Sequence, residues 1–454
     1  MNDGKGDATV SEPLSTRAMF AGNHLRWMVD RPNRFFRTHV VEPERYDPSN
    51  HGRIFNDVLT QLISPAPVLI DGLGTAPPQS IEPEPFDLVT FPEAFVPAEV
   101  LLDVLGNLNR AGPIGCIHVG LRPSDDPQQH LFTHQQALDL ITKIGQISDE
   151  VAADIAPLVK WISSQRGNFH FNLGCLFTVD ADGNVRVCVH PKVVRSKFEC
   201  SPLPERHLEE ADFLTLVSLL PVDKNILTVT LQPLICSDVL SLSRDRGGPA
   251  PIAAVNSEAA CFGDSPPDHI DVVSAVTCTP QAEVVREGHA YRAWHQEFQR
   301  SFVNAASDGG YFRHHFAVFV LSNFRMLPKT SPGGLSGVFV PTAPPTSTRF
   351  HDAVIVSLYG RPNQDCRGNN RWSTPEDGSS PDWSSRGFVA ALDPYAGPRE
   401  AVVRIFACNI QPLPRHDTPW SRTRTGGLAR CEVSVGMDSG DRLAFVPWSN
   451  DRAD

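Results

Sequence analysis

The sequence predicts an α/β protein with parallel strands and helices on their outer side. A strand pattern at 35–42, a helical pattern at 51–64 and a second strand pattern at 85–91 follow one another along the chain. This is the order of a βαβ unit, whose two strands lie parallel and whose helix packs on one face of the sheet. Apolar runs and helical segments recur through much of the 454 residues, a length that can bury a large core.

In the N-terminal third, each element follows from its hydrophobic periodicity. Residues 1–34 are polar and irregular and predict an arm, and the proline-rich residues 65–85 predict a surface insertion. Helical spacing within 133–165, with Thr133 and Ser148 as N-caps, predicts two helices. The other elements are strands at 35–42, 85–91 and 114–121, and a helix whose apolar face comprises Ile54, Phe55, Val58, Leu59, Leu62 and Ile63.

Further along the chain, a hairpin is the strongest local signal. Asp182 and Gly183 separate two alternating apolar runs, at 168–179 and 184–189. Helices are predicted at 209–219 and, from an amphipathic aromatic stripe, at 287–306. Apolar runs predict strands at 226–234, 270–278, 316–321, 338–340, 353–358, 401–407 and 430–435.

The composition argues against several classes of function. The formal net charge is −12 without a basic block, so neither nucleic acid nor an anionic membrane is an expected partner. An apolar leader and an 18-residue apolar run are both missing, which predicts no signal peptide and no membrane span. The ten cysteines include no CxxC pair, as in the reduced thiols of a cytoplasmic protein. His314 and His315 are adjacent and would point to opposite faces of a strand, so no metal is predicted.

Three reactive residues stand at the ends of predicted strands. Glu93 follows the strand at 85–91, Lys192 follows the hairpin, and Cys236 follows the strand at 226–234. Each has an ordinary alternative, as a helix cap, a surface lysine and a core thiol respectively. The carboxyl ends of parallel strands share one edge of a sheet, so the three side chains can meet there. Together they would supply a nucleophile, a carboxylate that takes its proton, and a cation for an oxyanion.

The amino-acid sequences of these segments resemble those of the nitrilase, or carbon–nitrogen hydrolase, superfamily. The run DLVTFPEAF at 87–95 is similar to the glutamate motif of that superfamily. The run GNVRVCVHPK at 183–192, followed by VVRSKFE, resembles its lysine motif and second glutamate. The run LICSD at 234–238 resembles its cysteine motif. The resemblance covers 35–345 and, more loosely, 350–412.

The resemblance implies a role for each of these residues. Glu93 would be the general base, Lys192 would stabilise the tetrahedral intermediate, and Cys236 would be the nucleophile. Glu199 would be an auxiliary glutamate that positions the lysine or the substrate. The backbone N–H of Ser237 would help to form the oxyanion hole.

Two departures from the pattern of the superfamily bear on these roles. Ser237 stands where an aromatic residue is common. The run after Lys192 is VVRSK instead of a sequence resembling His-Leu, which makes Lys197 a rival for the catalytic lysine. Lys192 is preferred because it directly ends the strand and stands at the better interval from Glu199.

The resemblance also implies an architecture and an assembly. The fold would be a four-layer α-β-β-α sandwich, paired through outer helices into a homodimer or a higher homo-oligomer. The hydrolase-like domain would cover 35–412, with insertions near 65–85 and 361–386. It would lie between an N-terminal arm at 1–34 and a C-terminal extension at 413–454, and these additions offer surfaces for a protein partner.

The implied function is hydrolysis of a non-peptide C–N bond in a small molecule. An amide is the first choice of substrate and a nitrile the second. The reaction would pass through a thioester and needs no cofactor. One alternative is a regulatory or effector module of the same fold, gated by a partner or non-catalytic. Another is acyl transfer to an amine in place of water.

Overall fold

A computed structural model gives the architecture of the chain. It describes residues 20–31, 36–43, 48–63, 68–70, 79–81, 85–108, 114–126, 129–165, 170–196, 199, 207–208, 210–239, 251, 254–255, 258–263, 270–278, 318–324, 337–341, 355–357, 390–391, 402–410, 428–438 and 443–447. None of the helices in these ranges combines the length and the hydropathy needed to cross a bilayer.

The described ranges contain helices and strands in the following order: β1 (Ala21–Val29), β2 (Phe36–Pro43), α1 (Pro48–Ile63), β3 (Val68–Ile70), β4 (Gln79–Ile81), β5 (Leu88–Thr90), β6 (Val96–Pro97), α2 (Ala98–Leu108), β7 (Ile114–Arg122), β8 (Phe132–Thr133), α3 (His134–Gly145), α4 (Asp149–Ser164), β9 (His170–Phe171), β10 (Leu173–Val179), β11 (Val185–Pro191), β12 (Phe213–Pro221), β13 (Val229–Ile235), β14 (Val272–Val276), β15 (Val318–Ser322), β16 (Gly337–Pro341), β17 (Ile355–Ser357), β18 (Ala390–Ala391), β19 (Val402–Ile410), β20 (Leu428–Asp438) and β21 (Leu443–Pro447).

Two large mixed sheets organise the described part of the chain. One has seven strands in the order β1-β12-β13-β14-β15-β16-β17. The other has ten strands, with the path β11-β10-β7-β5-β2-β19-β20-β21 and with β6 and β18 paired at its sides. Strands β2 and β5 are parallel, which confirms the βαβ unit predicted around α1.

The two sheets pack face to face over an apolar layer. From the ten-stranded sheet this layer takes alternate residues such as Val40, Leu88 and Leu176, and from the seven-stranded sheet it takes residues such as Trp27 and Leu231. Fully burying such side chains stabilises the fold by about 1.5–3 kcal/mol each. The period of two along each strand therefore gives the ten-stranded sheet two apolar faces.

The opposite face of the ten-stranded sheet is covered by helices. Buried residues of all four helices, among them Val58, Leu101, Ile141 and Leu158, share one apolar cluster with strand residues such as Ile117. Both predicted N-caps are confirmed. The side chain of Thr133 accepts the N–H of Gln136, and that of Ser148 accepts the N–H of Val151.

These observations confirm the α/β class and the two stacked sheets. One helical layer and both sheets lie in the described ranges. The helix predicted at 287–306, which would belong to a second helical layer, lies outside them. The loop-like insertion at 361–386 also lies outside the described residues.

Several elements differ from the sequence-based expectation. Part of the predicted arm at 1–34 forms β1, which pairs in parallel with β12. The segment 209–219, predicted as a helix, is largely strand β12, because an apolar run buried on both faces has no period that separates strand from helix. Helix α2 was not predicted. The C-terminal extension at 413–454 contributes β20 and β21 to the ten-stranded sheet, and β20 includes the strand predicted at 430–435.

Candidate active site

The three strand ends meet where the two sheets lie next to each other. Glu93 follows β5, and Lys192 directly follows β11. The pairings of β5 with β7, β7 with β10 and β10 with β11 make β5 and β11 run in the same direction, so both residues lie at one edge of the ten-stranded sheet. Cys236 directly follows β13 of the other sheet. The expectation that one sheet supplies all three residues is therefore wrong, and the site is built from both.

Glu93 is fixed by its backbone before its side chain is considered. Ala94 has a φ of 50°, so the chain turns sharply after Glu93. Gly120 of β7 lies against this turn, and a Cβ atom there would be 2.4 Å from the Cα of Glu93. The backbone N–H of Glu93 donates to the carbonyl of Thr277 at 3.3 Å, which links the turn to the end of β14.

The carboxylate of Glu93 accepts three hydrogen bonds. Its Oε1 accepts from Lys192 Nζ at 2.9 Å and from Asn172 Nδ2 at 2.7 Å. Its Oε2 accepts from the backbone N–H of Cys278 at 2.9 Å. Burial raises the pKa of Glu93 above its ordinary value, although the charge of Lys192 lowers it. Glu93 is therefore a stronger base than a carboxylate in water.

Lys192 bridges two carboxylates. Its Nζ donates to Glu93 Oε1 at 2.9 Å and to Glu199 Oε1 at 2.8 Å, and its side chain is 1% exposed. Burial lowers the pKa of the ammonium group, but the charges of Glu199 and Glu93 outweigh this effect and raise it well above the ordinary value. The group is therefore a permanent buried cation.

Glu199 and Asn172 complete the surroundings of the lysine. Glu199 Oε2 accepts the backbone N–H of Ser196 at 2.8 Å. Burial raises the pKa of Glu199, but Lys192 and this N–H group lower it below its ordinary value. Asn172 Nδ2 donates to Glu199 Oε1 at 3.3 Å as well as to Glu93, and its backbone carbonyl accepts the N–H of Lys192 at 2.7 Å.

Asn172 was not singled out from the sequence, although a signal for it exists. The register of the hairpin pairs Leu173 with Pro191. The next pair outward is Asn172 and Lys192, so the lysine and the amide are neighbours across the two strands.

The turn that carries Cys236 is held in an unusual backbone conformation. Cys236 has a φ of 47°, and left-handed backbone at a residue other than glycine costs on the order of 1–3 kcal/mol. A 3-10 turn, Cys236–Val239, begins at this residue. The carboxylate of Asp238 accepts the N–H groups of Val193 at 2.9 Å, Val194 at 2.7 Å and Ile235 at 3.1 Å. Asp238 thereby ties the cysteine turn to the segment that follows Lys192.

The thiol of Cys236 is placed among charged groups. Burial and the charge of Glu93 raise its pKa far above the ordinary value, and the charge of Lys192 lowers it. The resting thiol is therefore neutral, and the carboxyl group of Glu93 is its neighbouring base. Cys236 Sγ therefore transfers its proton to Glu93 while it attacks the substrate, and not before.

The structure thus brings Glu93, Lys192, Glu199 and Cys236 into one site. Ser237 lies in the cysteine turn, where its hydroxyl group donates to the carbonyl of Val194, and the role of its N–H group stays a prediction. Lys197, the rival lysine, lies outside the described residues. Across the residues that the structure describes, no group of three or more His, Cys, Asp or Glu side chains could hold a metal ion.

Comparisons with known proteins give matches among solved structures alone. No protein-family model and no curated protein matches the sequence. An amidase from Nesterenkonia sp. aligns over 87% of this chain and 96% of its own, at 12% identity and a TM-score of 0.32. A variant of that amidase with the acetamide moiety of fluoroacetamide on its active-site cysteine aligns over 73% and 85%, at 13% identity and a TM-score of 0.31.

A third match comes from Xanthomonas campestris. This CN-hydrolase superfamily protein, with an arsenic adduct in its active site, aligns over 67% of this chain and 82% of its own, at 12% identity and a TM-score of 0.30. The matched proteins are of the superfamily that the sequence resembles. The similarity is remote, and what the present site can do follows from its own side chains.

Proposed function

We propose that this chain is a cysteine hydrolase that cleaves non-peptide C–N bonds, with small amides as its substrates. One observation supports the proposal above others. A buried carboxylate and a buried ammonium group, joined at 2.9 Å, share a site with a thiol held at a strained turn. These groups are the base, the oxyanion partner and the nucleophile that acyl transfer needs.

In the first half of the reaction, Cys236 Sγ attacks the amide carbonyl carbon and Glu93 takes the thiol proton. The raised pKa of Glu93 makes it able to accept this proton and to return it to the leaving nitrogen. Collapse of the tetrahedral intermediate expels ammonia or an amine and leaves a thioester on Cys236. The proton balance closes within the pair, so no cofactor is required.

In the second half, Glu93 takes a proton from water, and the water attacks the thioester carbon. The carboxylic acid leaves, and Cys236 recovers its proton from Glu93. In both halves the negative oxygen of the tetrahedral intermediate would be stabilised by Lys192 and by the N–H group of Ser237. Loss of one such donor costs other enzymes about 100- to 1,000-fold in kcat.

Glu199 and Asn172 are positioning residues in this scheme. Glu199 accepts a hydrogen bond from the ammonium group of Lys192 at 2.8 Å and so fixes its position beside Glu93. Asn172 spans both carboxylates and fixes their separation. A nitrile could enter the same chemistry through a thioimidate, since the nucleophile and the base are the same.

The test is a screen of small amides and nitriles for ammonia release, combined with intact-mass spectrometry of acid-quenched reactions. We expect turnover of at least one amide and a mass increase equal to its acyl group. The increase should be lost in Cys236→Ala and retained in Cys261→Ala, which removes a half-buried thiol elsewhere in the chain. An adduct that persists in Cys236→Ala, or turnover without Cys236, would contradict the proposal.

A further inference from the structure

We propose that Cys278 is a second thiol of this site, and that a peroxide converts Cys236 and Cys278 into a reversible disulfide. Cys278 has no part in the hydrolytic scheme. The inference rests on the placement of the two residues and not on the identity of the amide substrate. It assigns the site a modification chemistry in addition to hydrolysis.

The pairing of β13 with β14 brings the two cysteines to the same edge of the seven-stranded sheet. These strands are parallel, and Ile235 is paired with Val276. Cys236 is the next residue after Ile235, and Cys278 is the second residue after Val276. Beyond the strand ends the two residues are in contact, because the backbone N–H of Cys278 hydrogen-bonds to the thiol of Cys236. A disulfide spans Cα separations of about 4.4–6.8 Å.

Glu93 contacts the backbone on the β14 side and acts on both thiols. Its Oε2 accepts the N–H of Cys278 at 2.9 Å, and its N–H group donates to Thr277. Burial and the charge of Glu93 raise the pKa of Cys236 and of Cys278. The charge of Cys236 also raises the pKa of Cys278, and the backbone N–H of Cys278 lowers the pKa of Cys236. The two sulfur atoms therefore lie in one small space around a single base.

Exposure separates these two residues from three cysteines of the ten-stranded sheet. Cys236 is 5% exposed and Cys278 is half-buried, so Cys278 is the residue of this pair that is nearer to solvent. By contrast Cys116, Cys175 and Cys188 are buried within the ten-stranded sheet, in the apolar layers on its two faces. They offer a small oxidant no comparable access.

The chemistry balances with hydrogen peroxide as the oxidant. Cys236 Sγ attacks one peroxide oxygen and the O–O bond breaks. Glu93 passes the thiol proton to the departing hydroxide, which leaves as water, and Cys236 becomes a sulfenic acid. Cys278 Sγ then attacks Cys236 Sγ and the S–O bond breaks. The hydroxide leaves with the proton of Cys278 as a second water.

This disulfide would protect the nucleophile. A sulfenic acid that meets no thiol proceeds to sulfinic acid, which ordinary thiols do not reduce. A disulfide is opened again by thiol exchange. The pair would therefore exchange an irreversible loss of activity for a reversible one.

The test uses the full chain, oxidised with hydrogen peroxide and mapped by mass spectrometry without reduction. Trypsin releases Cys236 in peptide 225–244 and Cys278 in peptide 247–286, which also contains Cys261. The mapping is therefore done in the Cys261→Ser background. We expect the two peptides to be joined with the loss of two hydrogens, and dithiothreitol to separate them and restore the modification of Cys236 by iodoacetamide.

Cys278→Ser supplies the comparison. In this variant the linked peptide should be missing, dimedone should trap a sulfenic acid on Cys236, and sulfinic acid should accumulate faster than in the parent. Linkage of Cys236 to any other cysteine would overturn the proposal, as would sulfinic acid forming equally fast with and without Cys278. If Cys278→Ser does not fold, Cys278→Ala serves, and the linkage map of the parent decides by itself. All readouts are masses, so failure to find an amide substrate leaves this test intact.

Discussion

At the scale of single residues, the amide of Asn172 has an effect out of proportion to its size. Its Nδ2 donates to Glu93 Oε1, which also accepts a hydrogen bond from Lys192 Nζ. It donates to Glu199 Oε1 as well. A hydrogen bond to an ionised carboxylate stabilises the ionised form and lowers its pKa. The amide therefore offsets part of the burial that raises the pKa of Glu93.

This arrangement predicts the pH dependence of Asn172→Ala. Glu93 must be ionised to take the thiol proton, so kcat/KM should rise with pH through a pKa above the ordinary 4.5. Removing the amide raises that pKa further, and the acidic limb should move to higher pH. Loss of a hydrogen bond to a charged group should also lower kcat/KM by about 10- to 100-fold.

The measurement is the pH profile of kcat/KM for the parent and for Asn172→Ala. Asn107→Ala is the control, because Asn107 donates to the carbonyl of Asp103 on the exposed side of α2. An acidic limb that stays in place in Asn172→Ala would show that the amide does not act on Glu93.

The buried ammonium group makes a prediction about stability. Lys192→Met would leave Glu93 and Glu199 buried without a cation, and breaking a buried ion pair in this way costs about 3–5 kcal/mol. Adding Glu93→Gln and Glu199→Gln removes the stranded charges and should restore most of that loss. Urea unfolding measures the free energy of unfolding of Lys192→Met and of the triple variant. Lys160→Met, on the exposed face of α4, is the control. Equal stability of Lys192→Met and Lys160→Met would contradict the buried ion pair.

At the scale of elements, the site depends on how closely β7 approaches the turn after β5. A Cβ atom at Gly120 would lie 2.4 Å from the Cα of Glu93 and 2.6 Å from the backbone nitrogen of Ala94. Both are backbone atoms of a turn that is already in left-handed conformation at Ala94, so the contact cannot be relieved by a side-chain rotation. The pairing of β6 with β7 continues this close approach.

Gly120→Ala should therefore lose activity and stability together, by more than the 1–3 kcal/mol typical of an overpacked core. Gly106→Ala is the matched control. Its Cβ atom would meet nothing within 4 Å in the last turn of α2, so Gly106→Ala should stabilise by up to about 0.5–1 kcal/mol, the gain expected for a glycine in the middle of a helix. Thermal unfolding of the two variants should shift in opposite directions. A Gly120→Ala protein with unchanged melting temperature and turnover would contradict this account.

The strands also explain why the site was only partly predictable from the sequence. Glu93, Lys192 and Cys236 end strands, and an apolar run that stops at a reactive residue is visible in the sequence. Asn172 and Cys278 depend on register, since one is the neighbour of Lys192 across a hairpin and the other follows a strand parallel to β13. Register is set by which faces become buried, and that information is spread over both sheets.

At the scale of the whole molecule, the sandwich shows which parts of the fold a local pattern can reveal. The βαβ unit around α1 and the hairpin of β10 and β11 have strong local signals, and both were predicted. Strand β1 was not, although its buried Leu25, Trp27 and Val29 alternate with more exposed residues, because this pattern follows a long polar stretch that itself predicts an arm. Its parallel partner β12 lies far away in sequence, so a local sequence pattern cannot predict that the two strands pair.

Trp27 tests whether this segment is a strand of the sandwich or an arm. Its ring is fully buried between the sheets, and its Nε1 donates to Asp154 Oδ2 at 3.2 Å, which ties β1 to α4. Trp27→Ala should therefore lower the free energy of unfolding by about 3–5 kcal/mol. Met28, the next residue, is 46% exposed, so Met28→Ala should change it by less than about 0.5 kcal/mol. Neighbouring residues of an arm would respond alike in urea unfolding, whereas those of a strand with one face in the core must differ.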